Sequence, residues 1–211
     1  LKAEILAKNY STPLYCYSLN KLKENIKNFK KNFEDINPLT CFAVKANSNR
    51  TILQEIGKLG LGADVVSIGE LMKALKSGIK PNKIVFSGVG KTYKEISYAI
   101  EKKILLINAE SKSEILEIER IAKIKKKEVN VGIRLNPNID AKTLKKISTG
   151  KNENKFGVSE SSFLKIIKKF KNSKYLNLRC LSVHIGSQIN DYRPYAKMIN
   201  VVQNTIKKSK H

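Results

Sequence analysis

The feature of this sequence that most constrains its fold is a regular alternation of short apolar runs with segments of helical periodicity. The apolar runs, which predict β-strands, are residues 39–45, 63–67, 83–88, 104–108, 129–136 and 178–185. Between them, apolar residues recur every three or four positions, as expected for helices that cover a sheet with one face. Strands that alternate with helices through short connections form a parallel sheet with right-handed crossovers. The pattern therefore predicts an α/β fold.

The predicted helices follow the strands closely. An extended piece at residues 10–17 precedes a first helix with Ser18 as its N-cap, and Pro38 is expected to end that helix. The later helices are predicted over residues 51–60, 69–78, 92–100, 111–124, 160–170 and 192–207. A long stretch without periodicity, residues 137–157, is expected to be irregular.

Two closures are compatible with such a sheet: an open doubly wound sheet and a TIM-type (β/α)8 barrel. An open nucleotide-binding sheet carries glycines after its first strand, whereas Lys45-Ala46-Asn47 stands there. Polar residues end successive strands, as active-site residues do in a barrel: Lys45, Ser67, Ser87, Asn108, Asn136 and His184. We therefore predict a barrel domain over residues 1–211, with about six of its eight strand–helix units present.

Lys45 has two interpretations on its own. As a residue at the exit of a strand it places its ammonium group in water, which is the common case. Held instead in an apolar pocket at the rim of the sheet, it has a lowered pKa, and the free amine can form a Schiff base with an aldehyde cofactor.

The positive charge of the chain suggests nucleic acid at first sight, but the distribution of the charges argues against it. The formal net charge is +23, and only five of the 41 basic residues are arginine. Most of the lysines lie at polar helical positions, such as Lys21, Lys23 and Lys27, with no interleaved aromatic residues on which bases could stack. We predict a solvated lysine coat and no nucleic-acid partner.

The sequence also bears on location and metal content. No apolar run approaches the length of a membrane span, and the first residues lack the layout of a signal peptide. Cys16, Cys41 and Cys180 are an odd number without the spacing of metal ligands, so no metal site is expected. We interpret them as small core residues in a reducing cytoplasm.

Several short motifs follow one another along the chain. They are Phe42-Ala43-Val44-Lys45-Ala46-Asn47, Asp64-Val65-Val66-Ser67 with Gly69-Glu70-Leu71, residues 83–91, Arg134-Leu135-Asn136-Pro137, Ile147-Ser148-Thr149-Gly150, Asn154-Lys155-Phe156-Gly157 and His184-Ile185-Gly186-Ser187-Gln188. In these motifs and their order the sequence resembles the diaminopimelate decarboxylase family, which belongs to the alanine-racemase-like group of pyridoxal-phosphate enzymes. The resemblance covers the whole chain but about the first half of a family member. It implies that two further barrel strands and a C-terminal β-domain follow residue 211.

The resemblance implies roles for five residues. Lys45 is similar to the lysine that carries pyridoxal phosphate, which favours the pocket interpretation. His184 matches the histidine that stacks on the cofactor ring, and Ser187, in a turn expected to enter a helix, resembles a phosphate contact. Asp64 and Arg134 resemble an inward-facing pair beneath the cofactor. A buried ion pair that fixes the register of the barrel is an equally good interpretation of these two residues.

Other residues of the motifs are interpreted as structural or as loop residues. Glu70 is expected to support the first turn of a helix. Lys91 and Lys155 do not end a buried apolar run, and Lys155 is interpreted as part of a loop or as a partner for acidic groups. Asn136-Pro137 and Ser148-Thr149-Gly150 resemble loops on the substrate side.

The activity implied by the resemblance is pyridoxal-phosphate-dependent decarboxylation of meso-diaminopimelate to L-lysine, the last step of lysine biosynthesis. The enzyme would be a cytoplasmic homodimer with a small amino-acid substrate. A decarboxylase of other basic amino acids or of carboxynorspermidine, and a non-catalytic or truncated remnant that binds the cofactor, remain alternatives. The family's glycine-rich phosphate loop, its pyridine-partner glutamate and its catalytic cysteine would lie beyond residue 211. Residues 1–211 alone are therefore expected to be inactive.

Overall fold

The computed structural model describes residues 2–141, 150 and 156–209. The chain divides into two compact units, Leu1–Thr40 and Cys41–His211. The interpretation of Ser148-Thr149 as a substrate-side loop and that of Lys155 as a loop residue lie outside the described residues.

The first unit contains two helices, α1 over Ala3–Tyr10 and α2 over Leu19–Lys31. Ser18 caps α2 as predicted, because its Oγ accepts a hydrogen bond from Lys21 N at 3.2 Å. Residues 11–17 form no strand, and α2 ends well before Pro38, with a single 3-10 turn in between. The prediction that Pro38 itself ends the helix was therefore wrong.

The second unit alternates strands with helices. Its strands are β1 Cys41–Ala43, β2 Gly62–Val65, β3 Ile84–Phe86, β4 Leu106–Ala109, β5 Val129–Arg134 and β6 Leu176–Ser182. Its helices are α3 Arg50–Lys58, α4 Ile68–Lys76, α5 Tyr93–Glu101, α6 Lys112–Lys125, α7 Glu160–Phe170 and α8 Arg193–Ser209. Every predicted strand and helix of this unit is present, with ends displaced by a few residues at most.

Side-chain caps fix where most of these helices begin. A side-chain oxygen of the residue before the helix accepts a hydrogen bond from a backbone N–H of the first turn, which would otherwise lack a partner. The capping residues are Asn49, Ser67, Thr92, Ser111 and Ser159. In α5 the cap is reciprocal, since Glu95 Oε2 also accepts from Thr92 N at 2.9 Å.

The strands pair in parallel and lie in the order of the chain, from β1 to β6. A doubly wound sheet reverses its order at a switch point, whereas a barrel adds each strand beside the preceding one. The sequential order confirms the barrel-type winding and excludes the doubly wound alternative.

The two faces of the sheet differ in burial. Residues that point outward, under the helices, are fully buried and apolar, such as Ala63, Val65, Ile84 and Phe86. The alternate residues point inward, and many of them are polar and half-buried. The apolar core therefore lies between sheet and helices, while polar side chains lie on the inner face. Within the described residues, no helix is long and apolar enough to cross a membrane.

Candidate functional site

A cleft of about 500 Å³ lies at the carboxyl ends of the strands, on the inner face of the sheet. The five residues singled out from the sequence all line it: Lys45, Asp64, Arg134, His184 and Ser187. They come from the ends of β1, β2, β5 and β6 or the segments that follow them, so the barrel winding brings together residues far apart in the chain. A cavity of a few hundred Å³ at this end of a barrel matches the size and position of a small-molecule site.

Not all of the polar residues predicted to end strands face this cleft. Lys45, Ser87, Asn108 and His184 line it. Ser67 instead caps α4, where its Oγ accepts from Glu70 N at 3.2 Å. Asn136 Nδ2 donates to the backbone oxygen of Phe156 at 3.3 Å. Ser67 and Asn136 lie beyond the ends of β2 and β5, where the alternation of the strand no longer sets the direction of the side chain.

Lys45 reaches the cleft from a different local structure than predicted. Strand β1 ends at Ala43, and Lys45 lies in a single 3-10 turn over Val44–Ala46. Val44 is fully buried, whereas Lys45 is exposed at the rim of the cleft. The expectation of a lysine enclosed by an apolar pocket at a strand end was therefore wrong for the described residues. The turn breaks the alternation of the strand and directs the apolar neighbour into the core.

Asp64 is held by a hydrogen-bonded row of polar side chains. Ser87 Oγ donates to Asp64 Oδ1 at 2.6 Å, and Asn108 Nδ2 donates to Ser87 Oγ at 3.2 Å. Burial raises the pKa of Asp64, and the hydrogen bond from Ser87 and the charge of Lys45 partly offset this effect.

Arg134 is paired with a residue that the sequence did not single out. Its Nη1 donates to Glu110 Oε1 at 2.8 Å, and the two side chains are 12% and 4% exposed. The guanidinium also lies over the ring of Phe156, 4.7 Å from its centroid. The backbone N of Gly157 donates to Glu110 Oε2 at 3.0 Å, so both carboxylate oxygens are used.

Asp64 and Arg134 therefore do not form the mutual ion pair that one interpretation proposed. Each has its own partner, Ser87 for Asp64 and Glu110 for Arg134. The sequence did contain one signal for Glu110, since this acidic residue directly follows β4 near the predicted strand-end residue Asn108.

His184 lines the cleft and is exposed. The atoms around it still remove enough water to lower the pKa of the imidazole, and the positive charges of Arg134 and Lys45 lower it further. Because an unperturbed histidine has a pKa of about 6.5, a lowered value leaves His184 neutral at pH 7.

Ser187 lies in a bend rather than at the start of a helix. Helix α8 begins only at Arg193. The expectation that the N-terminus of a helix would help Ser187 to bind an anion was therefore wrong. Its hydroxyl still lines the cleft.

Lys91 is buried, although the sequence gave it no special role. Its side chain is 2% exposed, and its Nζ donates to Glu114 Oε1 and to the backbone oxygen of Asn108, both at 2.7 Å. A third hydrogen bond goes to the backbone oxygen of Gly88. The three donors of the ammonium group are thus all used, which compensates for the cost of burying the charge.

Glu70 has the structural contacts that its position in a first helical turn suggested. Its Oε2 accepts from the backbone N of Val66 at 2.9 Å, while its own backbone N donates to the cap residue Ser67. These two hydrogen bonds fix the turn between β2 and α4.

The cysteines are less buried than predicted. Cys16 is exposed, and Cys41 and Cys180 are half-buried on the inner face. Burial, followed by the negative charge of Asp64, raises the pKa of Cys41 to about 11.

We expect Cys41 to react slowly with iodoacetamide. At pH 8 a thiol with this pKa has only about one molecule in a thousand as thiolate, and the thiolate is the nucleophile. Peptide mapping of the complete protein should show Cys41 alkylated about a hundredfold more slowly than the exposed Cys16. Labelling in denaturant is the control, where the two rates should converge. Equal rates in the folded protein would contradict the raised pKa.

The sequence profile described as "Pyridoxal-dependent decarboxylase, pyridoxal binding domain" matches residues 19–211. A diaminopimelate decarboxylase of Helicobacter pylori strain J99 is 49% identical over 191 residues, which cover 90% of this chain and 47% of that protein. One of Campylobacter jejuni is 43% identical over 205 residues, covering 97% of this chain and 51% of that protein.

A solved structure gives the same result for the fold. Diaminopimelate decarboxylase from Helicobacter pylori, crystallised with L-lysine, superposes with a TM-score of 0.93 at 45% identity. The match covers 99% of this chain and 52% of that one. The chain thus spans about half the length of the curated relatives that it matches.

Proposed function

Because the chain belongs to the family of pyridoxal-dependent decarboxylases, through their pyridoxal-binding domain, we propose that the complete protein decarboxylates meso-diaminopimelate to L-lysine with pyridoxal phosphate as its cofactor. The observation that carries this proposal is the cleft at the carboxyl end of the sheet. It gathers Lys45, Asp64, Arg134, His184 and Ser187, the residues for which the family resemblance implies a role.

The polar groups of the cleft fit a bound pyridoxal phosphate. Arg134 Nη2 is buried and has no hydrogen-bond partner among the described residues. Buried polar atoms without a partner are rare, and at a site they suit a ligand that completes them. The guanidinium cation of Arg134 in the same cleft suits a cofactor whose phosphate is anionic.

Each of these residues has a distinct part in holding the cofactor. Lys45 would bind the aldehyde of the cofactor through Nζ, because the amine of a lysine side chain reacts reversibly with a carbonyl group. The neutral ring of His184 would stack on the pyridine, and the hydroxyl of Ser187 would contact the phosphate. Arg134, fixed by Glu110 at 2.8 Å, would offer its remaining N–H groups to the cofactor.

A bound pyridoxal phosphate would supply a sink for the electron pair that the departing carboxyl group leaves behind. The role of this chain's own residues is to accept and hold protons around this step. Lys45 Nζ must lose a proton before it can attack a carbonyl. Asp64 lines the same cleft as Lys45, on the strand that pairs with β1, and is the proposed acceptor, since burial raises the pKa of its carboxylate.

The activity itself can be tested directly on the purified complete protein. We expect it to release carbon dioxide from meso-diaminopimelate and to form L-lysine only when pyridoxal phosphate is present. L-Arginine, L-ornithine and carboxynorspermidine serve as competing substrates. Faster release from any of these would favour a related decarboxylase, and binding of the cofactor without turnover would favour a non-catalytic protein.

The homodimer rests on the resemblance alone, and the cytoplasmic location rests on the resemblance and on the interpretation of the cysteines. Both stay predictions. Sedimentation of the complete protein would test the dimer, and fractionation of cells would test the location.

His184→Ala is expected to weaken retention of pyridoxal phosphate several-fold, because ring stacking contributes on the order of 1 kcal/mol. The melting temperature should hardly change, since His184 is exposed. Equilibrium dialysis of the complete protein against the cofactor measures the effect. Tyr192→Ala is the matched control, because Tyr192 is an exposed aromatic residue of the same segment that does not line the cleft. An unchanged dissociation constant for His184→Ala would exclude the stacking role.

A further inference from the structure

The hydrogen-bonded row Asn108–Ser87–Asp64 crosses the inner face of three neighbouring strands. Its hydrogen bonds are donated in one direction, from Asn108 towards Asp64. Asn108 Nδ2 donates to Ser87 Oγ at 3.2 Å, and Ser87 Oγ lies 2.6 Å from Asp64 Oδ1. A serine hydroxyl has one hydrogen, and a carboxylate can only accept. The hydrogen of Ser87 therefore points to Asp64, and Asn108 must supply the donor that Ser87 accepts.

Asn108 is held at both its backbone and its side chain. The buried ammonium group of Lys91 donates to the backbone oxygen of Asn108 at 2.7 Å. The side-chain amide of Asn108 occupies space next to Gly132 of the neighbouring strand, which is free because glycine has no Cβ. A Cβ at Gly132 would stand 2.1 Å from Asn108 Oδ1 and 3.2 Å from the Cβ of Cys180. Any other residue at position 132 would therefore displace the amide.

This arrangement leaves one polar atom of Asn108 unsatisfied. Asn108 is 9% exposed, and its Oδ1 has no hydrogen-bond partner among the described residues. A buried acceptor without a partner destabilises a fold. Stability alone therefore does not explain an asparagine at this position, whereas a fixed donor to Ser87 does.

We propose that Ser87 and Asn108 are positioning residues, which hold the carboxylate of Asp64 in one orientation beside Lys45. This inference rests on the proposed function, in which Asp64 is the acceptor next to the reactive amine. The two residues act through Asp64.

The electrostatic surroundings of Asp64 are consistent with this role. Burial and the charge of Glu70 raise the pKa of Asp64, while the hydrogen bond from Ser87 and the charges of Lys45 and Lys91 lower it. The hydrogen bond from Ser87 is the largest of the effects that favour the ionised carboxylate. Loss of Ser87 or of its orientation should therefore raise the pKa of Asp64.

The first experiment compares Ser87→Ala with Ser87→Thr in the complete protein without cofactor. Carboxyl-carbon NMR of protein labelled at aspartate follows the titration, and Asp64→Asn assigns the signal. We expect Ser87→Ala to raise the pKa of Asp64 and Ser87→Thr, which keeps the hydroxyl, to restore it. Retention of pyridoxal phosphate should fall about fivefold in Ser87→Ala only. A lower melting temperature with an unchanged Asp64 titration would reduce Ser87 to a structural residue and overturn the proposal.

The second experiment uses Gly132→Ala to perturb Asn108, the residue of the row that is farthest from Asp64. We expect this substitution to shift the titration of Asp64 in the same direction as Asn108→Ala, because the new Cβ displaces the amide. The double variant should show no more than the effect of Asn108→Ala alone, since the displaced group is then absent. Gly69→Ala is the matched control, because the nearest atom to its Cβ would be Ser67 Oγ at an ordinary 3.8 Å. Additive effects of Gly132→Ala and Asn108→Ala would contradict the proposal.

The two proposals can fail separately. If the complete protein binds no pyridoxal phosphate, the proposed function fails, while the titration still decides whether the row holds Asp64. If the cofactor binds but none of the variants moves the titration, the proposed function stands and the positioning role fails.

Discussion

Replacement of Lys45 by alanine is expected to abolish covalent attachment of pyridoxal phosphate to the complete protein. Lys45 is exposed at the rim of the cleft that also contains Asp64, Arg134 and His184, and only an amine can carry the aldehyde there. Reduction with borohydride, followed by peptide mapping, should find the adduct on Lys45 in the parent protein and on no peptide of the variant. Decarboxylation should fall by more than about a thousandfold, as for the loss of a nucleophile.

Lys73→Ala is the matched control for this experiment. Lys73 is also exposed, and its Nζ donates to Ser48 Oγ at 2.9 Å, a few residues along the chain from Lys45. It does not line the cleft with the five candidate residues. The control variant should keep both the adduct and the activity. An adduct on a different lysine of the parent protein would refute the assignment of Lys45.

Lys91→Met is expected to lower the free energy of unfolding of the complete protein by about 3–5 kcal/mol, because it leaves the carboxylate of Glu114 buried without its cation. The side chains of Lys91 and Glu114 are 2% and 10% exposed, and the Nζ–Oε1 distance is 2.7 Å. The backbone oxygens of Gly88 and Asn108 would also lose a donor. Urea denaturation followed by circular dichroism measures the loss.

Two further variants separate the buried charge from other effects. Arg120→Met breaks the pair of Arg120 with Glu117, which is 2.7 Å long but exposed. No measurable change in stability is expected, because solvent screens such a pair. The double variant Lys91→Met, Glu114→Leu should recover part of the loss, since no charge then stays buried. If Lys91→Met were as mild as Arg120→Met, the burial of the ammonium group would not matter for the fold.

The order of the secondary structure was determined by the sequence alone. Each strand and helix of the second unit depends on the period of its own apolar residues and on a local cap such as Ser67 or Thr92. These are interactions between near neighbours in the chain. The regular alternation then left two windings, and the residues after the first strand favoured the barrel that the parallel order from β1 to β6 confirms.

The candidate site was predictable as a set of residues but not as a set of contacts. The motifs singled out Lys45, Asp64, Arg134, His184 and Ser187, and the fold gathers them in one cleft. Their roles within the cleft are still proposals. Two local expectations were wrong for the described residues: the start of a helix at Ser187 and the apolar pocket around Lys45. Both depend on local turns that periodicity does not specify.

The partners of these residues were decided only by the tertiary structure. Arg134 pairs with Glu110, and Asp64 accepts from Ser87, across strands whose register sets which side chains meet. The burial of Lys91 likewise requires Glu114 of α6 and the backbone of β4 to converge on one ammonium group. Such contacts join residues about twenty positions apart, so no local pattern encodes them. Once the barrel winding fixes the register, the inward direction of alternate residues determines which polar groups share the cleft.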